Sequence, residues 1–348
     1  MPDAQEKIDI KSLLPEELST AFKTMGLPNF RAKQVFQWLG RGVTSFAEMT
    51  DLPAALRQTL DGHYVIPFLL VAQKQVSQID GTEKFLWELP DGETVETVLM
   101  RYRHGNTVCI SSQVGCRMGC AFCASTLGGK IRDLLPSEML DEVLRTGIES
   151  GLPISNIVLM GIGEPLDNFE NVVRFLYLVN HKDGASIGMR HISLSTCGLT
   201  ESIDKLAELN LQLTLSVSLH APDDETRSKL MPVNRGYGVD KLFAACERYF
   251  EKTGRRISFE YALVAGVNDT PYHANLLAQK LKGTGAHVNL IRLNYVSERG
   301  LKPSEEHTVQ EFSKVLSQRG VTVTVRRRLG SDIDAACGQL RRRQTRES

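Results

Sequence analysis

The feature that most constrains this chain is an alternation that starts near residue 104 and runs to its end. Apolar segments of buried-strand type fall at 107–111, 156–160, 191–195, 211–219, 257–264, 287–293 and 321–325. Helical spacing fills the intervals. Leu140, Val143, Leu144 and Ile148 share one face, and further patterns cover 169–180, 203–208, 239–252, 272–282 and 305–319. A strand followed by a crossover helix pairs most readily with a parallel neighbour, so six such units predict parallel strands arranged as a partial barrel or an open sheet.

The region before this alternation reads differently. Residues 15–25, 30–39 and 52–60 have helical spacing, punctuated by Gly26, Pro28, Gly40 and Gly42. Lys7, Lys11, Lys23, Arg31, Lys33 and Arg41 make this either an RNA-contacting appendage or a plain packing domain. Strands at 84–89 and 94–102 flank the turn Pro90-Asp91-Gly92, a hairpin signal. The expected division is a helical accessory domain over 1–75, a hairpin linker over 76–103 and a core domain over 104–348.

No apolar run approaches the roughly 18 residues of a membrane helix; the longest, Val65 to Ala72, is interrupted by Pro67. The first residues are charged and lack a signal core, so a cytoplasmic protein is expected. Seven cysteines, at 109, 116, 120, 123, 197, 246 and 337, are an odd number, which in that compartment points to metal or redox chemistry rather than a disulfide scaffold. Net charge is zero, yet 319–348 holds eight arginines against Asp332, Asp334 and Glu347. Such a cluster either holds phosphates or is a solvated tail.

Cys116, Cys120 and Cys123 form Cys-x3-Cys-x2-Cys just after the first strand of the alternation. Three thiolates can hold three irons of a 4Fe-4S cluster, which ordinarily takes four cysteines. The remaining iron is then open to the amino and carboxylate groups of S-adenosylmethionine (SAM). Electron transfer from the cluster to the sulfonium would release a 5′-deoxyadenosyl radical. The rival reading is zinc, with Cys109 as a fourth ligand, although that spacing is not usual for zinc. A bound SAM also needs polar partners at strand ends. Gly163 and Glu164 follow one predicted strand, Ser195 ends another, Ser218, Leu219 and His220 end the next, and Asn294 follows the last. Glu164 offers an acceptor for the SAM ammonium.

The stretches CISSQVGCRMGCAFC, MGIGEPLDN, LSVSLHAPDDETRSKLMPVNR and DIDAACGQL resemble the RlmN-type RNA methyltransferases, a branch of the radical SAM superfamily shared with the Cfr type. The resemblance covers nearly the whole chain and is weakest in the first 80 residues. It implies an α/β fold, a partial (β/α)6 radical SAM barrel with an N-terminal helical accessory domain and a short β-hairpin extension. It implies a 4Fe-4S cluster on Cys116, Cys120 and Cys123, and SAM held by Gly163, Glu164, Ser195, Ser218, Leu219, His220 and Asn294. The implied reaction consumes two SAM molecules and methylates carbon 2 of an adenosine in 23S rRNA and in tRNA. Cys337 would carry the methyl group, Glu96 would accept the carbon-2 proton, and Cys109 would form a transient disulfide with Cys337. Implied partners are the two RNAs and a one-electron reductant protein such as a flavodoxin, acting on a monomer.

Read alone, Cys337 is a small residue in a helix N-terminal turn, Cys109 a strand-core residue between Val108 and Ile110, and Glu96 a surface charge on a strand. Cys197 and Cys246 read as core or incidental. Three alternatives stand beside the main reading: a Cfr-type carbon-8 methyltransferase, a zinc-stabilised RNA-binding module without catalysis, and an auxiliary cluster on Cys109 and Cys337.

Overall fold

The computed structural model describes residues 7–333 apart from 295 and 297. Cys337 and the arginines of the tail, Arg341, Arg342 and Arg343 among them, lie outside the described residues. Within them one ten-stranded sheet organises the chain. Its first strands, β1 (Leu70–Val76), β2 (Glu83–Glu88), β3 (Thr94–Tyr102) and β4 (Gly105–Cys109), pair antiparallel. From β4 the sheet turns parallel through β5 (Ile154–Leu159), β6 (Ile192–Thr196), β7 (Thr214–Ser218), β8 (Ser258–Leu263), β9 (His287–Arg292) and β10 (Thr322–Val325). The predicted hairpin is therefore two strands of a four-stranded meander, and β1 starts ahead of the expected run.

The crossover helices follow the apolar spacing: α4 (Pro136–Ser150), α5 (Phe169–Asn180), α6 (Thr200–Glu208), α7 (Asp224–Leu230), α8 (Val239–Thr253), α9 (Pro271–Leu281) and α10 (Glu306–Gln318). The short α7 was not anticipated. Alternation along each strand separates two chemistries. Ile192, Leu194, Leu215, Val217, Tyr261, Leu263, Val288 and Leu290 are fully buried. Their neighbours on the opposite face include Ser195, Ser218 and Glu260, which line a cavity. Burying each large apolar side chain is worth about 2 kcal/mol, so the apolar face specifies the register.

Before the sheet, helices α1 (Pro15–Thr24), α2 (Asn29–Gly40) and α3 (Ala54–His63) pack with the barrel into one continuous core. One expectation fails here. Lys11, counted among possible RNA contacts, is 1% exposed. Its Nζ lies 2.8 Å from Asp141 Oδ1 on α4 and donates to the Pro67 carbonyl. The other Asp141 oxygen accepts Leu69 N at 2.7 Å. An isolated buried ammonium is too costly to keep, and this one is matched by a carboxylate. No helix among the described residues is long and apolar enough to cross a membrane.

Candidate active site

The parallel strands point their carboxyl ends at a cavity of about 280 Å³. One wall is the loop after β4. That loop starts with a small hairpin, Gln113–Gly115 against Lys130–Asp133, which brings its two ends together. Gly115 has φ +77°, and a Cβ there would stand 2.0 Å from the Gly129 carbonyl oxygen, so no other residue fits. Cys116 N donates to that same oxygen at 2.9 Å. Thr126 Oγ1 donates to the carbonyls of Cys120 and Cys123. Cys116, Cys120 and Cys123 all line the cavity. Burial pushes the Cys116 thiol up to about 12 and raises Cys120 as well. Thiols in such surroundings ionise when they bind metal.

Among the described residues no three His, Cys, Asp or Glu side chains converge on a single metal ion. Three thiols spread along one wall instead suit a cluster, in which each thiolate binds its own iron. Cys109, the fourth ligand that a zinc site would need, lines a different cavity.

The groups expected to hold SAM sit on the opposite walls. Gly163, Glu164, Ser195, Ser218, His220 and Asn294 line the cavity. Gly163 has φ +110°, and a Cβ would collide with Gln113 and Ser112 at 2.7 Å. Glu164 is buried, and burial raises its pKa. Its two oxygens accept Leu166 N at 3.0 Å and Cys197 N at 2.6 Å. The side chains of Cys197 and Thr196 bond to it as well, so Glu164 is held in one orientation at the cavity wall. His220 adopts φ 55°, uncommon for a residue with a side chain. Its Nδ1 accepts Ala262 N at 2.9 Å, which leaves the ring hydrogen on Nε2. Burial, aided by Arg227, holds His220 near a pKa of about 3, so it is neutral at physiological pH. Phe122, from the triad loop, packs edge-on against that ring at 4.8 Å. Leu219 departs from the expectation. It is fully buried outside the lining, its N–H donating to the Glu260 carbonyl and its own carbonyl accepting Arg227 Nε.

Arg227 is a residue that sequence spacing did not single out. Its guanidinium also donates to the carbonyls of Cys197 and Ser218 and to Asn234 Oδ1. One planar fork thus ties two strand ends that line the cavity. Cys197, read as incidental, lines the cavity beside the triad.

A second cavity, about 330 Å³, adjoins the first. Met160, Gly161, Ile291, Arg292, Asn294 and Arg326 line both. Glu96, Val98, Met100 and Tyr102 face it from alternate positions of β3, and Cys109 faces it from β4. The surface reading of Glu96 is overturned: it is 3% exposed and pairs with Lys84 Nζ at 2.9 Å, both side chains buried. Lys84 gave no sequence signal beyond the hairpin register, which sets Leu86 opposite Glu96 and Lys84 opposite Val98. Burial pushes the Cys109 thiol up to about 11, while the charges of Arg326 and Lys84 pull it down. Ser111 joins the cavities. Its Oγ donates to the Glu96 carbonyl and accepts Ile162 N. Glu142, buried in α4, accepts Ser111 N and Thr97 Oγ1. Arg326, Arg327 and Arg328 stand at the rim, and Ile333, four residues before Cys337, completes the lining.

Known proteins share this plan. Residues 110–276 match the radical SAM superfamily model, and residues 8–66 match the ribosomal RNA large subunit methyltransferase N-terminal domain. The chain is 50% identical over 346 residues to the probable dual-specificity RNA methyltransferase RlmN of Lachnoclostridium phytofermentans, spanning 99% of this chain and 97% of the relative. It is 49% identical over 338 residues to the RlmN of Alkaliphilus oremlandii, spanning 97% and 98%. A solved radical SAM methyltransferase from Sphaerobacter thermophilus superposes with a TM-score of 0.90 at 41% identity, covering 95% of this chain and 98% of that one. The radical SAM fold carries with it a 4Fe-4S cluster and SAM as cofactors. With identity of this extent along the whole chain, the chain belongs to the RlmN family of dual-specificity RNA methyltransferases within the radical SAM superfamily.

Proposed function

We propose that this protein methylates carbon 2 of an adenosine in 23S rRNA, near the peptidyl transferase centre, and in tRNA, next to the anticodon. In this reading Cys116, Cys120 and Cys123 hold the cluster. SAM lies in the same cavity against Glu164, Ser195, Ser218, His220 and Asn294, with Gly163 and Leu219 shaping the backbone around it. When bound, cluster and SAM together supply a 5′-deoxyadenosyl radical able to take a hydrogen atom from an unactivated methyl group. The electron comes from a flavodoxin-type protein, and the enzyme works as a cytoplasmic monomer.

The chain's own groups do the rest. Cys337 carries the methyl group as a thioether and presents it to the base. Glu96, held by Lys84, accepts the proton from carbon 2. Cys109, as thiolate, then attacks the Cys337 sulfur; the sulfur–methylene bond breaks with its electron pair passing to the departing carbon, which takes up a proton as the disulfide forms and the methylated base leaves. A thiol that burial holds protonated needs help to act as a nucleophile, and the charges of Arg326 and Lys84 act in that sense.

The observation that carries the reading is the adjacency of the two cavities. Glu96 and Cys109 share one, the cysteine triad lines the other, and both open onto Asn294 and Arg326. Cys109→Ala tests it. The variant should methylate Cys337 and attack the base but fail to let go, giving a protein–RNA adduct visible as a shifted band on a denaturing gel. Adding Cys337→Ala should abolish the band. Normal release of product by Cys109→Ala would end the assignment of both cysteines. Nucleoside mass spectrometry against 2- and 8-methyladenosine standards fixes the carbon.

A further inference from the structure

Below the cofactor cavity, the inward face of the sheet is polar where a barrel ordinarily packs branched apolar side chains. Five side chains there close a ring of hydrogen bonds across β8, β9 and β10. Ser258 Oγ lies 3.3 Å from Glu260 Oε1 and 3.0 Å from His287 Nδ1. His287 Nε2 lies 2.9 Å from Thr324 Oγ1, which donates to Asn289 Oδ1 at 3.3 Å. Asn289 Nδ2 donates to Glu260 Oε2 at 2.7 Å. Glu260 is 4% exposed and faces the cavity, whereas His287 is half-buried and Thr324 exposed.

Counting hydrogens gives the ring two complete states. Each hydroxyl has one hydrogen to donate, and the amide roles of Asn289 are fixed. If Glu260 is ionised, Ser258 donates to it and Thr324 donates to Asn289. Both nitrogens of His287 must then donate, so the ring is an imidazolium. If Glu260 is protonated, it donates to Ser258, Ser258 donates to His287 Nδ1, and a neutral His287 donates from Nε2 to Thr324. Every hydrogen bond survives in both states. Burial raises the Glu260 carboxyl and lowers the His287 imidazole, which favours the neutral pair in the protein alone. Arg326 acts on Glu260 in the opposite sense, Ser216 also bonds to it, and Arg256 adds to the lowering of His287.

We propose that Glu260, Ser258 and His287 form a proton relay between the cofactor cavity and the lower end of the barrel, which moves a proton off Glu260 when cationic SAM enters and returns it when only neutral products remain. The balance is simple. The Glu260 proton passes to Ser258 Oγ while the Ser258 proton passes to His287 Nδ1, and the reverse shift restores the start. SAM carries a sulfonium that S-adenosylhomocysteine lacks. Opposite unit charges roughly 8 Å apart at an effective dielectric of about 20 attract by a factor of up to about thirty, which is the scale on which a Glu260 carboxylate would favour a sulfonium in a cavity of this size. Glu260 thereby helps distinguish SAM from its spent form. The inference rests on SAM occupying this cavity and is independent of which adenine carbon is methylated.

The test uses the cluster-loaded enzyme under anaerobic conditions. Calorimetry measures SAM and S-adenosylhomocysteine binding, and NMR of protein carrying labelled histidine follows His287, assigned through His287→Asn. In the wild type, SAM should move His287 to its protonated shift and S-adenosylhomocysteine should not. Glu260→Gln should weaken SAM by up to about thirtyfold and leave S-adenosylhomocysteine unchanged. Ser258→Ala, which keeps both end groups, should abolish the His287 response. A His287 that stays unmoved in SAM-saturated wild type, or a Glu260→Gln that weakens both ligands alike, overturns the relay. Glu164→Gln separates the two failures. If it weakens SAM while Glu260→Gln does not, the relay alone is wrong; if it has no effect either, SAM lies elsewhere and the relay falls with the placement.

Discussion

The two adjoining cavities are made in different ways. The cofactor cavity takes its reactive groups from loops at strand tips, fixed by hydrogen bonds from backbone N–H groups: Cys116 to the Gly129 carbonyl, and Leu166 and Cys197 to Glu164. Its neighbour takes them from strand faces, where Glu96 and Cys109 are held by pairing between β3 and β4. Loop residues close in sequence can surround a cluster that arrives as a unit. The proton and thiol chemistry proposed for the second cavity would need groups aimed from separate strands, so its precision would come from the sheet. Damage to the first cavity should remove the cofactor; damage to the second should leave it bound and stop the reaction part-way.

The largest expected effect tests that separation. Cys120→Ala should lose the visible iron–sulfur absorption and all methylation together, whereas Cys109→Ala should keep the absorption. Equal loss of colour in both variants would mean that the cavities are not independent. The buried ion pair gives a smaller effect. Removing one partner of such a pair costs about 3–5 kcal/mol, so Glu96→Gln should lower the denaturant midpoint substantially. Lys84→Met with Glu96→Gln should recover most of that stability while turnover stays lost. Recovered turnover would remove Glu96 from the chemistry.

The smallest effect belongs to His220. Its folded pKa, about 3, lies far below the ordinary histidine value, so the unfolded chain binds the extra proton between the two. The contribution of neutral burial is intact above about pH 6.5 and falls as pH drops, by about 2 kcal/mol between pH 6.5 and 5. Raised carboxyls such as Glu164 and Glu260 act in the opposite direction. The comparison is therefore between wild type and His220→Asn, whose stability should fall less over that interval. Parallel curves would show that His220 is not buried neutral.

Legibility followed the same division. The strands and long helices of the parallel half were readable because their apolar residues repeat with the right period. The triad was readable because its cysteines lie within eight consecutive residues. The ion pair of Glu96 was not, since Lys84 meets it only across a hairpin whose register depends on the turn. Arg227 was invisible for another reason: its partners are carbonyl oxygens, which every residue has. Lys11 misled because a lysine in a charged segment ordinarily faces water, and its partner Asp141 is 130 residues away.

That lysine has a further consequence. Asp141 grips Lys11 near the start of the segment 8–66 that matches the methyltransferase N-terminal domain and Leu69 N just past its end. One carboxylate on a barrel helix therefore fastens both ends of the appended segment, and the seam is not a place to cut. A chain shortened to the barrel would keep an acidic group in its core with its cation deleted, and a graft of another appendage would have to bring an ammonium to the same spot. Modularity visible in the order of elements stops at that carboxylate.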